Sequence, residues 1–154
     1  MKSLAEYLAK KAKSKIKNEK RRAKAKLLWV AEHETRKQLV KKLDTIFSLF
    51  IRLRDKAIYG GACVICRKRP IEHCFHWITR GSYATRWDER NSCGSCAGCN
   101  FEETFRPLKY RDIHISMIGK DERERLEDKA RGLAKFSSAD LREMFGQLKA
   151  KMGA

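Results

Sequence analysis

The first 59 residues contain neither proline nor glycine, and the whole chain of 154 holds only two prolines. With no helix breaker present, and with Ala, Lys, Leu, Glu and Arg in the majority, Ser3 to about Asp55 is expected to form one long helix or two. Long apolar runs are also missing. None approaches the roughly 18 to 20 residues that span a bilayer, which excludes a transmembrane helix. The N-terminal stretch has no signal-peptide apolar region, because lysines interrupt it throughout, so the chain reads as cytosolic. Acid is scarce, with 19 Asp and Glu against 36 Lys and Arg and a net charge of +17. That balance exceeds what solubility requires and calls for a polyanionic partner. Nucleic acid and anionic membrane both match the charge, and the lack of apolar runs leaves no membrane role.

At this length and 42% hydrophobic content only a small core is available, so a structural metal would help to hold it. Six cysteines are present, four of them in the pairs Cys63/Cys66 and Cys96/Cys99. In a reducing compartment such pairs are metal ligands before they are disulfides. Each Cys-x-x-Cys knuckle offers two sulfurs, and two knuckles about thirty residues apart complete a tetrahedral zinc shell that stabilises and does not catalyse. Cys93 also stands in Cys-x-x-Cys relation to Cys96, making a triple with Cys99. The pair Cys96/Cys99 is preferred because Asn100 then comes directly after the last ligand. Cys74 and Cys93 are read as packed thiols, and His33 and His114 as surface residues.

The chain divides by character into a basic helical extension (1–38), a zinc-knuckle core with its packing helix (39–118) and C-terminal helices (119–154). In the extension, Lys10, Lys11, Lys13, Lys15, Lys17, Lys20, Arg21, Arg22, Lys24 and Lys26 face only Glu19. A helix from Lys10 to Lys26 has Ile16 as its single large apolar residue and no face to bury, so it would be frayed without a partner and would contact phosphates on several faces. From Leu39, the residues Leu43, Ile46, Phe47, Phe50 and Ile51 recur at helical spacing and should pack on the knuckle domain. Tyr59, Gly60 and Gly61 end that helix, and the first knuckle reads as a tight turn between short strands. Ile71 to Arg90 suits a two-stranded ribbon with a long loop. A short helix or loop stopped by Pro107, a charged helix from Asp121 to Leu133 and a last helix capped by Ser138 complete an α+β chain.

Several of these residues stand in a recognisable order. Leu43-Asp44, Phe47 through Asp55, the first Cys-x-x-Cys, His73-x-x-His76, Arg86-Trp87-Asp88-Glu89-Arg90-Asn91, Cys-x-x-Cys-Asn and Ile118-Gly119 resemble the NinG/Rap recombination proteins of lambdoid phages. The resemblance runs from about Leu43 to the C-terminal helix. It implies an HNH (ββα-metal) core held by a zinc knuckle, in a structure-specific endonuclease that cuts Holliday junctions and D-loops during phage recombination in the bacterial host cytoplasm. The HNH positions fall on His76, Asn91 and Asn100. His76 would be the general base, Asn91 would tie down the loop and aim it, and Asn100 would offer a carbonyl oxygen to a catalytic Mg²⁺ or Mn²⁺.

An acid often precedes the first histidine in HNH enzymes, and here that position is Phe75. The second ligand of the catalytic ion is therefore left to His73, Glu72 or a phosphate oxygen. Arg67, Lys68, Arg69, Arg80 and Arg86 are candidates to clamp the DNA strand, although Arg86 and Arg90 have Asp88 and Glu89 close in sequence as alternative partners. Approximate two-fold symmetry of a junction implies a homodimer. The competing reading is a noncatalytic zinc-ribbon DNA-binding protein. Deleting the residues before about Leu27 is expected to weaken DNA binding and flatten its salt dependence; an unchanged slope of log affinity against log salt would reduce this segment to a solvated charge run.

Overall fold

The computed structural model describes residues 4–32 and 34–153 and divides into two compact units, Met1–Gln38 and Leu39–Ala154. The protein is α-rich with one small antiparallel ribbon, an α+β chain. His33 lies outside the described residues.

In the first unit, helix α1 runs over Leu4–Glu32 as the missing prolines and glycines predict. From Leu8 to Lys26 every side chain is exposed, so this stretch of the helix buries none of them. A second helix, α2, covers Arg36–Tyr59. No glycine or proline separates the two. Thr35 instead starts the new helix, since its Oγ1 accepts from Gln38 N (3.3 Å) while Gln38 Oε1 accepts from Thr35 N (2.8 Å), a reciprocal capping box.

In the second unit α2 buries Leu39, Val40, Leu43, Phe47, Ile51 and Asp55, a stripe advancing by four. This stripe packs with Leu141 and Leu148 of α6 (Ser138–Lys151). Strands β1 (His73–His76) and β2 (Ser92–Ser95) pair antiparallel, His73 opposite Ser95 and His76 opposite Ser92. Alternation sends Cys74 and His76 to one face of this ribbon and His73 and Phe75 to the other. Cys74 joins the α2–α6 core, whereas Phe75 enters a second core with Val64, Ile71, Trp77, Tyr110 and the knuckle cysteines.

After β2 come α3 (Ala97–Glu102), a 3-10 turn (Glu103–Phe105), α4 (Pro107–Ile118) and α5 (Lys120–Arg131). Pro107 does not merely stop the segment before it. It sits in the first turn of α4, where its missing N–H costs no bond. Gly119 holds the α4–α5 corner at φ 85°, a conformation that side chains with a Cβ resist. The cap of α6 is Ser137, one residue earlier than expected, because Asp140 is placed to return the capping-box bond to Ser137 N. His114 is fully buried and not a surface residue, since α4 turns it inward to stack on Trp77 at 4.5 Å.

The ribbon is docked on α2 by one carboxylate. Asp55 is 2% exposed; its Oδ2 accepts from Gly94 N at 2.6 Å and its Oδ1 from Arg54 Nε at 2.7 Å. Arg54 then donates through Nη2 to Ser92 O and through Nη1 to Glu89 O. Gly94 is needed for close approach, because a Cβ there would lie 2.9 Å from Ile71. Replacing Asp55 with Ala strands the buried Gly94 amide and takes from Arg54 its nearer carboxylate, and is expected to cost about 3 to 5 kcal/mol in denaturant unfolding; a loss near zero would show that the ribbon docks without it.

Candidate active site and metal centre

The first knuckle is a turn closed by the bridge between Ala62 and Pro70. Within it Cys63 N donates to Arg69 O, and Arg67, at φ 57°, returns its N–H to Cys63 O. The second knuckle opens α3. Cys96 is the cap residue, its Sγ accepting from Cys99 N at 3.5 Å. The four sulfurs of Cys63, Cys66, Cys96 and Cys99 lie within 4.8 Å of one another, with Cys66 and Cys96 at 3.9 Å. Four thiolates around zinc at about 2.3 Å stand about 3.8 Å apart, so the donor set and its dimensions fit a closed structural site.

The backbone N–H groups of Lys68 and Arg69 help to hold the Cys66 thiol down to about 6, whereas burial and neighbouring thiols push Cys63 and Cys99 up. A dication is what such a crowd of thiolates requires. Cys93 and Cys74 are outside the cluster. Burial raises both thiols, that of Cys74 to about 12, as expected for packed sulfur.

The loop that runs from the end of β1 to Asn91 hangs on that asparagine's side chain more than on any turn of its own. Asn91 is fully buried; its Oδ1 accepts from Ile78 N (2.8 Å), and its Nδ2 donates to Ile78 O and Thr85 O (both 3.0 Å). The loop so closed presents Arg86 O to His76, whose Nε2 stands 3.1 Å away. A carbonyl only accepts, so Nε2 carries the proton and Nδ1 keeps its lone pair. Burial lowers the His76 pKa to about 4, which keeps the ring neutral at physiological pH. Asp44 of α2 fixes this loop from outside, accepting from Arg86 Nε (2.8 Å) and Nη2 (2.6 Å) and from Trp87 Nε1 (2.9 Å).

Over residues 1–154 the sequence matches the family described as the bacteriophage lambda NinG protein. The chain belongs to the NinG family. That membership carries a role related to phage recombination. Comparison with curated proteins and with solved structures found no match. Among the described residues of this NinG chain, no helix is long and apolar enough to cross a membrane.

The other residues singled out in the NinG sequence do not converge on His76. His73 is exposed and faces away from it across the pleat, three residues or about 10 Å along the strand. Asn100 is exposed on α3, which starts at the knuckle end of the ribbon, where Glu72 Oε2 accepts from Ala97 N. Phe75 is packed against Trp77 and Tyr110. Among the described residues, the four cysteines are the one cluster of three or more potential metal ligands from His, Cys, Asp and Glu.

The basic residues differ in what they have left to offer. Arg67, Lys68, Arg69 and Arg80 are exposed, Arg67 lying over the Tyr59 ring at 4.0 Å. Arg86, by contrast, is engaged by Asp44, not by Asp88 or Glu89. Asp88 and Glu122 take Arg90. Sequence reasoning passed over Asp44, Arg54 and Asp55 as functional supports, although Asp55 continues the buried 43, 47, 51 series by four. It also missed the buried His114, which takes Arg123 Nη1 on Nδ1 at 2.7 Å and donates from Nε2 to Arg90 O at 2.9 Å.

Elemental analysis of purified protein is expected to give about one zinc per chain. Cys99→Ala should lose it and Cys93→Ala retain it; zinc retention by Cys99→Ala would move the ligand set to the Cys93 side.

Proposed function

We propose that this NinG-family protein is a structure-specific, divalent-metal-dependent DNA endonuclease of the HNH type that cuts branched recombination intermediates. Holliday junctions and D-loops in the bacterial host cytoplasm are its substrates, and a homodimer is the acting form. The observation that carries the reading is the pairing of His76 with the Asn91-closed loop. A neutral imidazole is aimed by Arg86 O and left with a free Nδ1 lone pair. A buried asparagine that makes three bonds to the backbone of the same loop does for His76 what a general base needs, which is orientation before reaction. The order β1, loop, β2, α3 with a zinc knuckle at the base is also that of a ββα unit.

In this reading His76 Nδ1 takes a proton from the attacking water. The oxygen so activated adds to the scissile phosphorus, and the bond from phosphorus to the leaving sugar oxygen breaks. Asp44 acts as a positioning residue, because it holds Arg86 and so the carbonyl that orients His76. Bound Mg²⁺ or Mn²⁺ would offset charge on the phosphorane and the departing oxygen. The described side chains form no ready cage for it, so the ion is expected to arrive with the phosphate, Asn100 being the candidate protein donor, since His73 lies on the opposite face of the ribbon from His76. The exposed cations of α1, with Arg67, Lys68, Arg69 and Arg80, supply sequence-independent affinity.

A specific observation favours a second reading, a noncatalytic zinc-ribbon DNA-binding protein. Phe75 fills with core what would be a metal-ligand position in many HNH enzymes. Cleavage of a labelled four-way junction with Mg²⁺ or Mn²⁺ separates the two. Wild type is expected to cut, and His76→Ala to keep binding and lose about 10²- to 10⁴-fold in rate. Because burial lowers His76 to about 4, its accepting form persists far below the ordinary 6.5. Cutting should therefore hold from pH 8 to 5 and fall only toward 4. Binding without cutting under either ion would favour the scaffold reading, and an acid limb well above 4 would remove His76 as the base.

A further inference from the structure

Two phenylalanines next to the second knuckle do nothing for the fold. Phe101 is 69% exposed and Phe105 67%, and Leu108 just beyond is 76% exposed. The two rings meet edge to face at 5.2 Å, four residues apart on the outer side of α3 and its 3-10 continuation. A chain with so little apolar material to bury leaves them in water, while Cys99 from the same helix goes into the core. An exposed aromatic pair of this kind marks a binding surface.

Its surroundings say what the surface meets. Gly98 lies one turn before Phe101, and a Cβ on it would sit 2.6 Å from Arg69 Nη1, so the Arg69 guanidinium lies against the first turn of α3. Arg69 makes no ion pair among the described residues. Arg67 and Lys68 beside it are exposed, as are Arg106 and Lys109 just after the rings in sequence, both of them paired with Glu102. Aromatic rings set among cations at a surface of a chain carrying +17 match a strand whose bases are unstacked and whose phosphates are charged. A protein partner would have no need of that charge. Linear duplex offers no free base face, whereas a branch point does.

We infer that Phe101 and Phe105 form an aromatic wedge that stacks on the base faces left unstacked at the DNA branch point, with Arg69 holding the adjoining phosphate. The wedge gives the preference for branched over linear DNA, and it stands beside Asn100, the candidate donor to the catalytic ion. Its role rests on the branched-DNA function proposed for the chain.

The test uses the full zinc-loaded chain, a four-way junction with 2-aminopurine at the crossover, and a linear duplex of matching sequence. Wild type is expected to bind the junction more tightly and to change the crossover emission as bases unstack. Phe101→Ala/Phe105→Ala should lower junction affinity roughly tenfold or more, leave duplex affinity unchanged and abolish the emission change. Should that pair fail to hold zinc, Phe101→Leu/Phe105→Leu keeps the apolar bulk without the rings and carries the same comparison. Arg69→Gln should weaken binding to both DNAs and reduce the salt slope by about one.

If wild type prefers the junction and the ring-less variants keep that preference, the wedge is overturned and the endonuclease reading stands. If wild type shows no preference for the junction, the branched-DNA reading fails and takes the wedge with it. If the variants lose self-association in sedimentation along with affinity, the rings join two copies of the chain and the wedge is likewise overturned.

Discussion

Closure of two cysteine knuckles thirty residues apart in sequence is the constraint on which the second unit depends. Its ribbon has two strands of four residues, far below what holds together alone in water. Cys63 and Cys66 sit just before β1, and Cys96 and Cys99 just after β2, so the cluster of four sulfurs brings both open ends of the ribbon together. The same cluster anchors α3 through Cys96 and Cys99, and α4 through the core that Tyr110 shares with them. With few buried apolar groups available, a metal held there would supply the cross-link that core size cannot.

That closure lets a long loop stand between the strands. Residues 77–91 have almost no regular structure, and their order comes from polar side chains placed at three points. Asn91 bonds the loop from inside, Asp44 grips Arg86 from α2, and Asp88 gathers Arg90 and Lys129. Asp55 meanwhile binds the ribbon to α2 through Gly94 N. Each is a carboxylate or amide whose hydrogen bonds are satisfied in the protein, so the loop is held without an apolar core of its own. His76 sits where these supports meet, and its neutral, singly protonated ring results from burial together with one carbonyl partner.

Much of this was legible from local pattern. The α1 and α2 stretch came from an absence of breakers, the inner stripe of α2 from its period, and the cysteine cluster from paired spacing. Failing helical periodicity located β1 and the loop but not β2, which lies at Ser92–Ser95, beyond the Ile71 to Arg90 stretch expected to hold both strands. Elements went unread where their signals depend on context. Pro107 reads equally well as a stop or as a first-turn residue, and only the bridging Gly119 beyond it shows that a helix lies between. Ser137 and Ser138 are both competent caps, and the choice fell to Asp140, three residues after the first. His114 was read as a surface residue because its burial depends on Trp77 from a segment 37 positions earlier.

The sequence by itself determined the charge, the helical content, the family and the presence of two Cys-x-x-Cys knuckles among six cysteines, because those rest on composition, short-range periodicity and spacing. Only the tertiary structure decided that Cys93 stays out of the cluster, that Arg86 turns to Asp44, and that His73 and His76 occupy opposite faces of the ribbon. Those outcomes depend on which residues from distant segments meet and on strand register. A shift of register by one residue reverses every side chain on a strand, and no local pattern in four residues specifies it.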